Sequence, residues 1–338
     1  MLATVSFRTV SIALTLIALP ATVSARPGQR SSVPANTTVP ANATVSVTST
    51  AVSNTKQPAS PAPAVTPMVV PTNATLINPT VSQAFPAWQA TTNYELKTGG
   101  GAQFYSNHAR ANSTVRYDAA TGAYIVRETG DATKTYSLSA ANKVGAESNA
   151  TYTVYRTISG GTTNTFRLYN PVALTLTYAS YGTWRQSTPG IGYQGATKVY
   201  DTYFVYGIKT AGADVPRSGT GNYSAVLDGT FVNKNGPYAL SGNGAFTANW
   251  VAGTISYSAT PVGTPTSGPV INFGTVGGNG TINFSNASFS GRNDRTINAT
   301  YGMDLSGYFF GPAAAEIGAA FKLSGGGGTG SGVMIGKK

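Results

Sequence analysis

The chain has 338 residues, with 22 basic and 11 acidic side chains, a net charge of +11, one histidine and no cysteine. The absence of cysteine excludes a disulfide framework and a thiolate zinc site. The basic residues are scattered, with no run longer than Lys337-Lys338. Because nucleic-acid-binding proteins cluster such residues on a helix or a stripe, nucleic acid is disfavoured as a partner, and a mild attraction to acidic surfaces is favoured.

The first 25 residues have the pattern of a cleaved secretory signal peptide. Arg8 precedes an apolar run at 10–19, and Val23-Ser24-Ala25 supplies small residues before a cleavage site. The run is too short to span a bilayer as a helix, and no later stretch approaches 18 consecutive apolar residues. We therefore expect an exported protein without a helical membrane anchor, either secreted, at the cell surface or in the periplasm.

Residues 26–85 are rich in Pro, Thr, Ala, Val, Ser and Asn, and the segment has no aromatic side chain before Phe85. The stretch Pro-Ala-Ser-Pro-Ala-Pro at 58–63 disfavours the backbone hydrogen bonds of helices and sheets. This composition predicts a disordered stalk over 26–85. The stalk either reaches from a surface, contacts an export machine, or is an exposed tail without a role.

Residues 86–171 predict a small β-rich domain. Aromatic and β-branched residues recur in short runs, and the first two runs flank a turn from Asp118 to Gly122. Such runs are typical of strands joined by tight turns. Short strands are expected at 115–117, 124–126, 152–155 and 166–169.

Residues 172–338 show longer alternation of apolar and polar residues. The longest alternating stretch is 296–306, and 200–206 is aromatic on both faces, which predicts burial on both sides or a contact surface. Further strands are expected at 174–178, 223–227, 246–250, 255–259 and 281–285. No amphipathic helix of ten residues is present, so the pattern favours an antiparallel barrel or sandwich, with a domain boundary near 172.

Side chains for catalysis are scarce. His108 is the only histidine, and no G-x-S-x-G sequence lies near it. Only Glu128 and Asp131 lie within four positions of each other, and no other carboxylates pair in sequence. The Gly-rich stretches at 99–101, 277–280 and 325–328 lack the helix and the Lys-Ser/Thr of a phosphate-binding loop. Asp228, Asp294 and Asp304 are expected in turns or outward strand positions. We therefore expect no enzyme and no metal site.

The segment 307–321 reads as a strand end, a Gly-Pro turn, and a final strand entered through Ile317 and Phe321. It resembles the closing signature of the transferrin-binding protein B-like β-barrel family. The match is carried by Gly307, Tyr308, Phe309, Phe310, Gly311, Pro312, Glu316, Gly318 and Phe321. A second match, at 206–210, 216–223 and 228–229, resembles the opening hairpin of the same barrel.

This resemblance implies an all-β protein with a C-terminal antiparallel eight-stranded β-barrel over 172–338. A smaller β-rich, handle-like domain over 86–171 would precede it. The resemblance also implies binding of an iron- or haem-carrying host protein, or of haem itself, for nutrient acquisition, and an outer-membrane export translocon as a further partner. Lipid-anchored members need an N-terminal cysteine, which this chain lacks, so a form that is not lipid-anchored is expected.

If haem is the ligand, His108 is the only imidazole that could serve as an axial ligand. Arg110 and Arg116 would then pair with the haem propionates. A tyrosine is the other axial candidate, and 19 tyrosines leave that assignment open. The alternative for His108 is an exposed loop residue without a role in binding.

Two other functions are compatible with the same patterns. An integral outer-membrane β-barrel would share the signal peptide, the aromatic residues and the alternation, although the chain ends in Gly336-Lys337-Lys338 rather than in an aromatic residue. A structural or adhesive surface protein would use the Thr- and Asn-rich stalk and the Tyr-rich strands as its contact surface.

Signal cleavage after Ala25 predicts a mature N-terminus at Arg26. When the full chain is expressed in a bacterium with an intact export pathway, the exported protein should have the mass of residues 26–338. Intact-mass spectrometry measures this directly. A mass that retains Met1, or one that carries an added diacylglyceryl group, would contradict the prediction.

Overall fold

The structure is a computed structural model that describes residues 72–107, 111–127 and 135–338. The expected signal peptide, 1–25, and residues 26–71 of the expected stalk lie outside the described residues. Within the described ranges the protein is all-β, and its helical segments are three-residue 3-10 turns. None of these turns has the length or the apolar character of a membrane-spanning helix.

The described residues form two antiparallel sheets. The strands of the first sheet are β1 (Gln83–Leu96), β2 (Ala102–Asn107), β3 (Ala111–Asp118), β4 (Ala123–Arg127), β5 (Thr135–Leu138), β6 (Tyr152–Ser159), β7 (Thr162–Tyr169), β8 (Ala179–Thr188) and β9 (Thr197–Gly207). The strands of the second sheet are β10 (Thr220–Asn233), β11 (Gly236–Asn249), β12 (Thr254–Pro265), β13 (Ile271–Asn272), β14 (Val276–Asn283), β15 (Ser288–Asn293), β16 (Tyr301–Phe310), β17 (Glu316–Gly325) and β18 (Gly328–Lys337). The 3-10 turns are Ala140–Asn142, Gly145–Glu147, Val172–Leu174, Tyr193–Gly195, Gly212–Asp214 and Pro312–Ala314.

The first sheet has the strand order β5-β4-β3-β1-β9-β8-β7-β6, and β2 pairs with β1 beyond the end of β3. Its central strand β9 bonds to β1 along one edge and to β8 along the other. Residues 201–207 of β9 are buried without alternation. The predicted burial of both faces of 200–206 is therefore confirmed for this stretch.

The second sheet closes on itself as an eight-stranded barrel. β10, β11, β12, β14, β15, β16, β17 and β18 pair in that order, and β18 pairs with β10 from Thr329↔Val232 to Lys337↔Ser224. Closure pairs the backbone groups of the first and last strands, which would otherwise be open edges. The expected fold class, an all-β protein with a C-terminal antiparallel eight-stranded barrel, is confirmed.

Aromatic side chains fill the barrel. Phe289 lies 5.8 Å from Phe246 and 5.1 Å from Phe309, measured between ring centroids, and all three rings are buried. An eight-stranded barrel is just wide enough for side chains to fill its interior. Burial alternates along β10, β11 and β12 because one face of each strand lies in this core and the other face lies outside the barrel.

Part of the outer wall of the barrel is covered by the first sheet. Tyr308 and Phe310 on β16, with Val333 and Ile335 on β18, pack in one cluster with apolar residues of β8 and β9. These wall strands are consequently buried on both faces, and their burial loses the alternation seen in β11 and β12. The two sheets share a continuous interface through this cluster.

Strand membership differs from the boundary expected at residue 172. β8 and β9 belong to the first sheet, because both edges of β9 are occupied by β1 and β8 over ten residue pairs each. The segments 206–210, 216–223 and 228–229, expected to form the opening hairpin of the barrel, do not pair with one another. β9 ends at Gly207 in the first sheet, whereas β10 begins at Thr220 in the barrel, so the segment between them connects the two sheets.

The folded part also begins earlier than the expected stalk end at 85. Leu76 and Phe85 are 2% and 0% exposed and lie in the core of the first sheet. Asn73 holds the turn that precedes β1, since its side-chain oxygen accepts the N–H groups of Thr80 and Val81 at 2.8 and 3.0 Å. An asparagine that bonds local backbone in this way favours a turn over continued extension.

Two predicted strands are displaced, and a third lies where expected but has a different place in the strand order. The segment 174–178 begins in a 3-10 turn instead of a strand. The strand expected at 296–306 starts only at Tyr301, because the side-chain oxygen of Asn298 accepts the N–H groups of Thr300 and Tyr301. The strand entered through Ile317 is the next to last, and the last strand, β18, follows a turn at 326–327.

Truncating a barrel phenylalanine should destabilise the fold. Phe321 on β17 is fully buried in the barrel core, and replacing such a side chain with alanine typically costs about 3–5 kcal/mol. The matched control is Val226→Ala on β10, where the side chain is 47% exposed and the expected change is within about 0.5 kcal/mol. Urea denaturation of both variants measures the difference, and equal midpoints would contradict this account of the core.

Candidate functional site

The segment 307–321, which carries the sequence resemblance, lies at the junction of the two sheets. The carboxylate of Glu316, which begins β17, accepts the backbone N–H groups of Thr177, Tyr178 and Ala179 at 2.6, 2.9 and 2.8 Å. These three residues lead directly into β8. Burial raises the pKa of Glu316, and the three N–H donors oppose that rise. Glu316 therefore attaches the barrel wall to the first sheet.

A second carboxylate, Asp228 on β10, lies between the sheets. The hydroxyls of Tyr169 and Tyr181 both donate to its Oδ2 at 3.0 Å, and their rings stack with centroids 3.9 Å apart. Burial raises the pKa of Asp228, and the hydrogen bonds from Tyr169 and Tyr181 offset part of the rise. The position is outward from the barrel, as expected from the sequence, but the first sheet covers it.

Beside Asp228 a cleft of about 630 Å³ opens between β6–β9 and β10–β12. Three arginines line it. Arg185 forms a bidentate pair with Asp201, at 2.6 and 2.7 Å, and Arg156 pairs with Glu147 at 2.7 Å. The third, Arg167, lies over the Tyr152 ring, with its Cζ 5.3 Å from the ring centroid. The cleft is therefore a polar joint that contains two ion pairs and a third, stacked arginine.

An exposed apolar surface lies at the far end of the first sheet. Phe104 on β2, 67% exposed, contacts Tyr193 in the β8–β9 loop, 58% exposed, with ring centroids 5.6 Å apart in an edge-to-face arrangement. Ile191 in the same loop is 63% exposed. We call Phe104, Ile191 and Tyr193 the aromatic patch. Large apolar side chains grouped in this way on a surface are characteristic of interaction sites.

Hydrogen bonds hold the aromatic patch in place. The carboxylate of Glu95 on β1 accepts the backbone N–H of Tyr193 at 2.8 Å, and the Gln103 side chain donates to the carbonyl of Tyr193 at 3.2 Å. The backbone of Phe104 and of Gln194 has φ values of 47° and 54°, a region that non-glycine residues adopt at a cost. The loop is thus held in one conformation with its apolar side chains in solvent.

Three lysines lie at the end of the first sheet that carries the aromatic patch. Lys97 lies in the β1–β2 turn, Lys198 lies opposite Glu95 on β9, and the carbonyl of Lys234 in the β10–β11 turn accepts the N–H of Ala102. The backbone thus places three lysines at this end of the molecule, where Glu95 is the opposing charge, and Lys198 Nζ lies over the Tyr200 ring. Such a group of lysines attracts an acidic surface and steers its approach.

Of the predicted haem residues, His108 and Arg110 lie outside the described residues. The strands on either side of them pair with β1, at Thr92 and Gln89. Arg116 is exposed on β3. The described residues contain no group of three or more histidine or carboxylate side chains that could hold a metal ion.

The aromatic residues of the segment 307–321 contribute to the packing of the fold. Phe309 and Phe321 point into the barrel core, while Tyr308 and Phe310 pack against the first sheet. Gly311 has φ of 70°, and a Cβ there would lie 2.3 Å from the Tyr178 ring. Gly307 pairs with Ala319 across β16 and β17, where a Cβ on Gly307 would meet the Gly318 carbonyl at 2.1 Å.

The aromatic patch was not predicted from the sequence. Its only sequence signal is an apolar residue in a Gly/Pro context, as in Pro189-Gly190-Ile191-Gly192-Tyr193. A large apolar side chain in such a turn has little chance of entering a core. Its neighbour Phe104 lies 89 positions away along the chain, so only the pairing of β1 with β2 and β9 shows that the two meet.

No protein-family model and no curated protein matches the chain. Among solved structures, it is similar to transferrin-binding protein B of Haemophilus parasuis, at 11% identity over 79% of this chain and 77% of that one, with a TM-score of 0.35. It is similar to transferrin-binding protein B of Neisseria meningitidis, at 16% identity over 73% of this chain and 43% of that one, with a TM-score of 0.40. A third is HpuA of Kingella denitrificans, solved in complex with human haemoglobin, at 12% identity over 76% and 88%, with a TM-score of 0.33.

The raised pKa of Asp228 predicts a pH-dependent effect of Asp228→Asn. The folded protein holds this carboxyl proton more tightly than the unfolded chain, so the wild type loses stability as the pH rises from 3.8 through the folded-state pKa. The variant lacks this loss. Its free energy of unfolding, relative to the wild type, should therefore rise with pH across that window, by at most about 1.4 kcal/mol per pH unit.

The control for this measurement is Asp294→Asn. Hydrogen bonds from Thr296 lower the pKa of Asp294, so its contribution to stability is present above 3.8 and is lost as the pH falls through the lowered value. The stability of this variant relative to the wild type should therefore change with pH in the opposite direction. Denaturation curves recorded from pH 3 to pH 8 compare both differences, and a flat difference for Asp228→Asn would contradict the assignment.

Proposed function

We propose that the chain is an exported, non-catalytic binding protein that attaches to a partner protein through the aromatic patch. The observation that carries this proposal is the contact between Phe104 and Tyr193, two exposed aromatic side chains on a backbone held by Glu95 and Gln103. Rigid aromatic anchors lose little conformational entropy on binding and are typical centres of protein interfaces.

The charges around the patch define the surface that would fit it. Lys97, Lys198 and Lys234 favour a partner with carboxylates around an apolar socket. This matches the excess of basic residues in the whole chain. Binding should therefore weaken with ionic strength, because salt screens exposed charge pairs.

The class of partner follows from the sequence resemblance at 307–321. That segment resembles the transferrin-binding protein B-like family, so we propose an iron- or haem-carrying host protein as the partner. Haem bound by His108, and export through an outer-membrane translocon, remain finer proposals of the same origin. The haem proposal is tested by visible absorbance, where a Soret shift on haem addition should be lost in His108→Ala. The export proposal is tested by surface display, which should be lost in a translocon mutant.

The outer face of β11 and β12 disfavours an integral membrane barrel. Ser241, Asn243 and Thr247 on β11, with Ser256 and Thr260 on β12, are exposed at the outward positions. A barrel that faces lipid carries an apolar band at these positions. Here the outward side chains are hydroxyls and amides, which suit water.

Binding should be tested with immobilised wild-type protein and iron-loaded human transferrin, lactoferrin and haemoglobin as probes, by biolayer interferometry. We expect saturable binding of at least one probe. Phe104→Ser and Tyr193→Ser should each weaken it about tenfold or more, as for residues at the centre of an interface. Val251→Ser is the matched control, since Val251 is 75% exposed on the β11–β12 turn of the barrel.

Two outcomes would overturn parts of the proposal. If no probe binds, the iron-carrying class of partner is wrong. If a probe binds and the patch variants bind as well as Val251→Ser, the contact lies elsewhere on the molecule. Thermal midpoints equal to that of the wild type show that the variants are folded, which is expected because both side chains are exposed.

A further inference from the structure

A second surface lies at the opposite end of the first sheet. A groove of about 650 Å³ runs between the segment 76–80, the loop that follows β7, and strands β3, β4 and β6. Its lining is rich in aromatic side chains, with Leu76 and Leu168 at its base. The tyrosines are Tyr117, Tyr124, Tyr155, Tyr169 and Tyr206. We call this the tyrosine groove.

The rings form a continuous series. Tyr117 and Tyr124 lie 5.2 Å apart between ring centroids, and Tyr124 and Tyr206 lie 6.3 Å apart. Burial raises the pKa of Tyr124, and the nearby Tyr117 and Tyr155 add to the rise, which places these hydroxyls close together in their neutral form. Because burial raises the pKa of Tyr124 and of Tyr155, these two hydroxyls are hydrogen-bond donors at neutral pH.

Three of these hydroxyls have no protein partner. Within the part of the chain that the structure describes, the phenol groups of Tyr117, Tyr124 and Tyr155 bond to no other residue, and none of them is a buried atom without a partner, so they are open to solvent in the groove. Each can donate to an acceptor that enters the groove. Grouped donors with no protein acceptor point to a ligand that carries a row of acceptors.

The remaining lining selects for an uncharged, apolar chain. None of the described residues that line the groove is charged, on a protein whose net charge is +11. Pro79 and Pro171 form parts of the wall, and Val172 is 55% exposed at the rim. An ionic ligand would find no counter-charge here, whereas proline rings would find flat aromatic faces.

We propose that the tyrosine groove binds a proline-rich, extended segment of a partner protein. A polyproline II segment has carbonyls that are not used internally, and its prolines have no N–H to satisfy. Tyrosine hydroxyls supply the donors that such carbonyls need, and aromatic rings pack against the pyrrolidine rings. The preformed extended shape also reduces the entropy lost on binding.

The probe for this site is a fluorescein-labelled decaproline peptide, titrated with the whole chain and followed by fluorescence anisotropy. A (Gly-Ser)₅ peptide of the same length is the control, because it has the carbonyls but lacks the rings and the fixed shape. We expect saturable binding of decaproline and none of the control. Absence of saturation up to about 1 mM protein, or equal binding of both peptides, overturns the proposal.

Hydroxyl deletions identify the site. Tyr124→Phe and Tyr155→Phe keep the ring and remove one donor, and each should weaken decaproline binding about three- to tenfold. Tyr200→Phe, on β9 outside the groove, should leave it unchanged. Val172→Asp adds a charge at the exposed rim without disturbing the core and should also weaken binding.

Decaproline binding that survives all three groove variants overturns the assignment to this groove. Binding of a neutral oligosaccharide, maltoheptaose, in place of decaproline would show that the groove recognises sugars and not proline. The patch variants Phe104→Ser and Tyr193→Ser should leave decaproline binding intact. Failure of this inference is therefore separable from failure of the proposed function.

Discussion

The Glu316 carboxylate is the contact on which the relation between the two sheets depends. Taking a carboxylate out of water costs several kcal/mol unless hydrogen bonds compensate. Here three successive N–H groups, from 177–179, supply that compensation. The bonds extend along the signature segment, since Lys209 forms a bridge to Phe310 and the hydroxyl of Thr210 donates to the Gly311 carbonyl at 2.6 Å. The entry to β8 and the exit from β9 are thus attached to the same few residues of the barrel, which leaves the first sheet one position against the wall.

This attachment determines where apolar surface is left exposed. The outward side chains of β16 and β18 are covered, so the barrel wall presents no free apolar face on that side. The hydroxyls of Tyr169 and Tyr181 satisfy Asp228 in the same interface, and Tyr203 bonds with Thr230 at 2.8 Å. These hydrogen bonds satisfy most of the polar groups in the interface and make it specific, although the indole N–H of Trp88 is buried there without a partner. Against this satisfied interior, the aromatic patch and the unpartnered hydroxyls of the tyrosine groove stand out as surfaces that folding leaves unused.

Much of the barrel could be predicted from the sequence, because a strand with one face in a core and one in water alternates with period two. This held for β10, β11 and β12. The same periodicity shows only that a strand has a buried face and not which strand lies beside it, so β8 and β9 were assigned to the wrong sheet. Asp228 shows the same limit. Its outward position was predicted, but the first sheet that covers it was not, because periodicity does not reveal what packs on the outer face. The aromatic patch could not be predicted either, since it joins Phe104 to Tyr193 through the pairing of three strands. A role for His108 stays a prediction, because His108 lies outside the described residues.

The two unused surfaces differ in kind, and their separation explains why one domain can carry both. The aromatic patch lies where β1 ends and β9 begins, while the tyrosine groove lies where β1 begins and β9 ends. β1 has 14 residues, which at about 3.3 Å per residue places the surfaces on the order of 40 Å apart. A short peptide bound at one surface therefore does not reach the other. The charges differ as well, since three lysines lie at the end of the sheet that carries the patch, whereas none of the described residues that line the groove is charged. Basic residues at the patch speed the association with an acidic protein, and that association weakens as the salt concentration rises. The uncharged groove instead selects its ligand by shape and by the positions of carbonyl groups. Of the two strands that join these ends, β9 packs with β8 on the barrel wall, and the segments at the entry to β8 and the exit from β9 are bonded to the barrel at Glu316 and Phe310. The barrel thus acts as a rigid support, and the first sheet carries the recognition surfaces at its two ends.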